Sequence, residues 1–138
     1  MPANRNDLIW NATVKAYPAI CDLQAPESFV RLTECKLNVG APSYNHDLYT
    51  VPAGKIFKLE FLMVLSWNPD PNSVTFILRS GVTDYGFYSA AYGAAFTQHT
   101  WDKPILFDED EIVRIFWNAT LAATKVCGTC FGYLFNKY

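Results

Sequence analysis

The chain has 138 residues, a formal net charge of −2, and is 16% aromatic but only 17% charged. That length makes one domain with a single packed core that needs neither a metal nor a disulfide staple, so the four cysteines read as dispensable for folding. The 11 Lys and Arg are scattered singly, which argues against direct nucleic acid or an anionic membrane as partner, because both reward a dense basic surface.

The first segment, residues 1–27, has weak periodicity and three prolines, Pro2, Pro18 and Pro26. It reads as an extended N-terminal arm ahead of a single domain at 28–138. Two readings stay open for it: a disordered terminus, or an arm anchored on a neighbouring subunit through Leu8, Ile9, Trp10 and Tyr17. It opens without an apolar stretch of signal-peptide type, and the glycosylation patterns at Asn11 and Asn118 are therefore taken as background. No apolar run reaches the roughly 18 to 20 residues that would span a bilayer.

Phe29 to Val39 reads as a strand whose apolar parity changes between Leu32 and Cys35, which suggests a β-bulge near Thr33-Glu34. Residues 40–47 are loop by composition, and Leu48 to Val51 forms a short strand entering a tight turn. Pro52 suits the second position of a type I turn over Val51 to Gly54, with Gly54 in the fourth.

The long strand that follows carries Phe57, Leu59, Phe61, Met63, Leu65 and Trp67 on one face. Its other face starts charged, with Lys58 and Glu60, and turns apolar at Leu62 and Val64. Those two residues are expected to be covered by a neighbouring subunit or by the arm. Asn68 to Ser73, with two prolines, ends the strand.

Val74, Phe76 and Leu78 mark the inner face of the next strand, and a further strand through Gly86 to Ala90 precedes an aromatic-alanine loop. Ile105 to Phe107 is a short apolar run after the Lys103-Pro104 break. Asp108 to Glu111 is a solvated turn, and Ile112 to Trp117 is a strand with Val113, Ile115 and Trp117 on one face and Ile112, Arg114 and Phe116 on the other. In the last strand, Lys125 to Phe135, Gly128 and Gly132 share a face where a neighbouring backbone comes close. With about seven or eight strands and no amphipathic helix, the fold expected is an all-β, antiparallel two-sheet sandwich of jelly-roll or related topology.

The residues that could carry chemistry are few. Cys127 and Cys130 are three apart on one strand and point to opposite faces, so they cannot share a metal, and Cys21 and Cys35 lack knuckle spacing. Buried free thiols are the expected state. His46 and His99 fall in loops, no Ser sits in a nucleophile elbow, and the acidic run lacks the spacing of a calcium loop, nor has Glu60 a carboxylate partner. No catalytic, cofactor or metal site is assigned. Most aromatics occupy inward strand positions, leaving Tyr85, Tyr88 and Tyr92 as the best exposed exceptions.

Three motifs, Tyr49-Thr-Val-Pro-Ala-Gly-Lys55, Trp101-x-x-Pro-Ile-Leu106 and the acidic turn Glu109-Asp-Glu-Ile112, together resemble small β-sandwich virion proteins of tailed bacteriophages. The resemblance covers residues 47–117, and it departs from the usual pattern at Glu109, where a glycine is common. It implies a non-enzymatic structural protein of the virion surface, forming a homotrimer and bound to the major capsid protein or other virion proteins as a decoration or cement protein. The alternative it implies is a fibre or tail receptor-binding module for a host surface glycan, with exposed aromatics at Tyr44 to Asp47 or Asp84 to Tyr92. The subunit-binding residues expected on this reading are Leu8, Ile9, Trp10, Tyr17, Leu62, Val64, Tyr88 and Tyr92.

Overall fold

A computed structural model describes residues 28–37, 39, 42–69, 71–118, 120 and 124–137. The expected arm, with Leu8, Ile9, Trp10 and Tyr17, and Cys21 lie outside the described residues. Among those described there is no helix. The strands are β1 (Ser28–Lys36), β2 (Ser43–Thr50), β3 (Lys55–Ser66), β4 (Ser73–Ser80), β5 (Thr83–Ala91), β6 (Gln98–Trp101), β7 (Ile105–Phe107), β8 (Ile112–Asn118) and β9 (Val126–Asn136).

They form two antiparallel sheets. The first runs β1-β9-β3-β6, with β7 also on β3, and the second runs β2-β8-β4-β5. β6 and β7 lie along the same edge of β3, interrupted at Pro104, which cannot donate to a ladder. Counted as one strand, they make eight, and the chain crosses between sheets at every step except the β4–β5 hairpin. That is the strand order of a jelly roll.

The core lies between the sheets and is built from Phe57, Leu59, Leu62 and Val64 on β3, Val74, Phe76 and Leu78 on β4, Val113, Ile115 and Trp117 on β8, and Cys130 and Leu134 on β9. The alternation expected for β4 and β8 is therefore present. For β3 it is not. The β3–β9 register slips between Leu59 and Phe61, leaving Glu60 as the extra residue of a bulge. A one-residue slip sends every later side chain to the opposite face. Leu62 and Val64 thus turn into the chain's own core, covered by the second sheet rather than by a subunit or the arm, while Phe61 and Met63 turn outward.

Other local expectations need correction. β1 pairs with β9 in unbroken register from Ser28 to Lys36, so no bulge lies at Thr33-Glu34. β2 begins at Ser43, absorbing most of the expected loop into a strand paired with β8. The reversal before β3 is one residue later than expected: Lys55 N–H donates to Pro52 O at 3.2 Å, and Gly54 takes the third position with φ 75°. A positive φ there defines a type II turn, which glycine adopts without strain.

Gly132 on β9 shows why close approach was expected at the glycines. A Cβ added there would lie 2.1 Å from the Lys58 carbonyl oxygen, beside the bulge. At Gly128 it would meet Ile115 of the opposite sheet at 2.7 Å.

Candidate docking face

Because of the bulge, the outer surface of the first sheet gathers side chains from three adjacent strands. Register pairs Phe29 of β1 with Tyr133 of β9, Phe131 of β9 with Phe61 of β3, and Thr129 with Met63. Phe61 and Phe131 stack at 5.0 Å with ring planes 17° apart, and Phe29 leans on Phe131 at 6.0 Å and on Tyr133 at 5.3 Å. Phe29, Arg31, Phe61, Met63, Thr129 and Phe131 line a groove of about 420 Å³. Phe29 is 53% exposed and Tyr133 37%. Arg31, exposed within the groove, makes no ion pair or hydrogen bond with another described residue.

One rim of this face is pinned covalently. Cys35 and Cys127 stand directly opposite on β1 and β9 and form a disulfide, which corrects the expectation of free thiols at these two positions. The opposite-face argument for Cys127 and Cys130 holds: Cys130 is a buried free thiol in the core, and burial pushes its pKa up to about 12. A thiol held that far up is protonated and inert at neutral pH. Next to the disulfide, the Thr33 and Thr129 hydroxyls bond at 2.9 Å.

The outer surface of the second sheet is built differently. Arg114 of β8 forks onto Asp47 of β2 at 2.6 and 3.0 Å and reaches Asp84 of β5 at 3.6 Å, while Arg79 of β4 bonds Asp84 at 2.8 Å. The Asp47 contact, foremost, holds the Arg114 guanidinium above its ordinary pKa. Thr75 and Ser89 add a hydroxyl pair at 3.2 Å.

Neither histidine is an exposed loop residue. His46 lies wholly buried on β2, and its Nε2 meets Glu34 Oε1 of β1 at 2.8 Å, joining the two sheets. Burial, partly opposed by Glu34, holds the imidazole below its ordinary pKa; the His46 bond in turn holds the Glu34 carboxyl below its own. His46 Nδ1 is buried without a partner among the described residues. The neutral Nε2–H tautomer fits this arrangement, since a proton on Nδ1 would be a buried donor with no acceptor. His99 sits half-buried on β6, with Nδ1 3.3 Å from the Tyr88 hydroxyl.

The acidic turn is not merely solvated. Glu109 Oε2 accepts from Gly54 N–H at 2.8 Å, and Lys137 Nζ donates to Asp108 at 2.7 Å and to Glu109 at 3.0 Å. The Gly54 N–H, foremost, holds the Glu109 carboxyl below its ordinary range. The acids thus tie the turn before β3 to the end of β9. Positive φ falls at Asp110 (64°), not at Glu109, so the turn does not require the missing glycine. Among the described residues no group of three or more His, Cys, Asp or Glu could hold a metal ion.

The tyrosines divide. Tyr92 is 3% exposed, and its hydroxyl accepts from Ser66 N–H and donates to Ser66 O, so it is a core anchor and not a binding platform. Tyr88 is half-buried against Phe76 and Trp101. Tyr85 stays exposed, at 57%. The expected loop tips at Tyr44 to Asp47 and Asp84 to Tyr92 belong to β2 and, up to Ala91, to β5 instead, with Asp47 and Asp84 engaged by arginines. Sequence reasoning missed the aromatic face; the signal was Phe61 and Met63, two large apolar side chains that one bulge would align with Phe131 and Thr129.

Fold and surface together define a jelly-roll sandwich with one closed and one open outer face. No family model and no curated protein sequence matches the chain. Among solved structures, a chain from the acid-stable capsid of Helicobacter pylori bacteriophage KHP30 is similar, with a TM-score of 0.57 and 13% identity over 80% of this chain and 90% of that one. A chain from Bacillus endospore appendages, which form disulfide-linked pili, gives a TM-score of 0.42 at 14% identity over 83% and 94% of the two chains. At these identities the first likeness is one of fold.

Proposed function

We propose that the chain is a structural virion protein, a capsid decoration protein that binds the outer shell through the aromatic face of its first sheet and stabilises the head. The observation that carries this reading is the open face itself: Phe29, Phe61, Met63, Phe131 and Tyr133 share one surface outside the core, whereas the opposite surface is laced by ion pairs. Contiguous apolar surface of this kind marks an interaction site in a folded protein. Its fold likeness to a phage capsid chain, and the resemblance in residues 47–117, favour a virion partner.

The reading needs no catalytic residue, because a protein that binds the assembled shell better than its separate parts stabilises it by mass action. A homotrimer belongs to the same reading, although Leu62 and Val64 contribute nothing to it, being spent inside the core. The test is the melting of undecorated capsids of the parent phage with and without purified protein. Added protein raises the temperature at which the shells open; an unchanged transition at saturating protein contradicts the reading.

A further inference from the structure

We propose that the disulfide between Cys35 and Cys127 is a latch on the docking face that small thiols of the glutathione class open and close. Closed, it holds the β1 wall of the groove, Phe29 and Arg31, against β9. Open, it lets β1 loosen while the rest of the sandwich stays folded. The meaning of the latch for binding rests on the reading of that face as the partner-binding surface.

The bond adjoins the groove on the same outer surface. Register sets Cys35 and Cys127 in one row with Leu65, and the next row, Thr33, Thr129 and Met63, supplies two of the groove's lining residues. Cys35 is exposed on an edge strand and Cys127 is half-buried beside it, so a thiolate in solvent meets Cys35 Sγ first. Exposed disulfides are the exchangeable ones, whereas buried ones resist small thiols. Cys130 points into the core, is buried, and takes no part.

β1 is the part of the face that such a bond governs. It lies at the edge of its sheet, no residue in it is fully buried, and its inward side chains Val30 and Leu32 are only partly covered by the core. β9, by contrast, is buried at alternate positions and paired on both sides. A strand with few buried contacts opens locally at low cost, and a crosslink disfavours opening by restricting the opened strand. Phe29 and Arg31 come from β1, whereas Phe61, Met63, Thr129 and Phe131 come from β3 and β9, so loosening β1 removes one wall of the groove and spares the other. The Glu34 bond to His46 and the hydroxyl pair of Thr33 and Thr129 do not depend on the disulfide, so β1 loosens rather than leaves.

In the opening reaction a thiolate attacks Cys35 Sγ, forms a mixed disulfide there and releases Cys127 as a thiolate, which takes a proton from water. A second thiolate attacks the reagent's own sulfur in that mixed disulfide and releases the Cys35 thiolate. Two small thiols are thereby oxidised to one disulfide and the protein disulfide is reduced to two thiols, a two-electron exchange that oxidised glutathione reverses. A reducing cell interior opens the latch and oxidising surroundings close it.

The experiment holds the full, folded chain in mixtures of reduced and oxidised glutathione, traps free thiols with iodoacetamide and maps them by mass, with amide exchange measured on both forms. Excess reduced glutathione should open the bond by way of an adduct on Cys35, leaving Cys130 unalkylated. In the reduced chain the amides around Phe29 and Arg31 should exchange roughly tenfold faster or more, those of β8 should change less, and oxidised glutathione should restore both. Cys35→Ser combined with Cys127→Ser should match the reduced wild type and ignore glutathione. A bond that stays closed in excess reduced glutathione overturns the proposal. So does β1 protection that is unchanged on reduction, or that falls no more than that of β8. Every readout uses the free protein, so failure here leaves the shell-binding reading to its own test.

Discussion

The two outer faces of the sandwich sit on sheets of similar size and are finished in opposite ways. On the β2-β8-β4-β5 sheet, the two outer strands each supply an acid, Asp47 and Asp84, and the two inner strands each an arginine, Arg114 and Arg79, and each charge is answered within the chain. On the β1-β9-β3 side, stacked aromatics and an arginine without a described partner are left for something else to answer. A charge ladder satisfied internally gains little from a partner, whereas exposed aromatic surface gains from every contact that removes it from water. The proposed shell-binding role rests on this asymmetry.

Changes beneath the faces should erase the distinction altogether. Gly132→Val places a side chain against the Lys58 carbonyl oxygen, 2.1 Å from where its Cβ must sit, and against the Phe57 ring at 2.8 Å. Overpacking against backbone should destabilise by roughly 3 kcal/mol or more, read as a lower urea midpoint. Replacing Cys35 and Cys127 by Ser removes a crosslink between positions 92 apart in sequence and should cost about 3 to 4 kcal/mol. Because that bond ties β1 to β9, protection of β1 amides from exchange should fall more than that of β8.

Acid should loosen the two sheets from one another. His46 has a lowered folded pKa, so the unfolded chain takes up a proton below about pH 6.5 that the folded chain refuses, and stability falls as pH drops through that range. Glu34 also has a lowered folded pKa, so its contribution is present above the ordinary carboxylate value and is lost as pH falls through the folded value. In chemical denaturation at a series of pH values, His46→Gln should flatten the dependence between pH 5 and about 6.5.

The smallest stability effects separate the faces most clearly. Arg114→Ala breaks the fork to Asp47 and should cost about 1 kcal/mol, because the pair is partly exposed. Phe61→Ser lies outside the inter-sheet core and should cost about 1 kcal/mol or less by thermal melting.

The sandwich was legible in the sequence because β8 alternates without interruption and β4 sends Val74, Phe76 and Leu78 to one face, and because Gly132 marked a close backbone approach; at Gly128 the neighbours are side chains, Ile115 and Leu48. The opposed directions of Cys127 and Cys130 followed from strand geometry alone. The candidate site was not legible, since it depends on one extra residue, Glu60, that reverses the facing of Leu62 and Val64. The clue was the charged-to-apolar change along that face, which is what a bulge produces and which reads equally well as a surface half covered by a partner. His46 was hidden for a related reason: its neighbours in sequence are polar, and the Glu34 that accepts its hydrogen bond comes from another sheet.

The most direct test of the proposed decoration role is co-sedimentation of undecorated phage capsids with the purified chain and two surface variants. Wild type and Arg114→Ala should pellet with the shells alike, while Phe61→Glu with Phe131→Glu should stay in the supernatant despite a folded near-ultraviolet spectrum. Equal pelleting of all three, or loss of binding through Arg114→Ala alone, would contradict the assignment of function to the aromatic face.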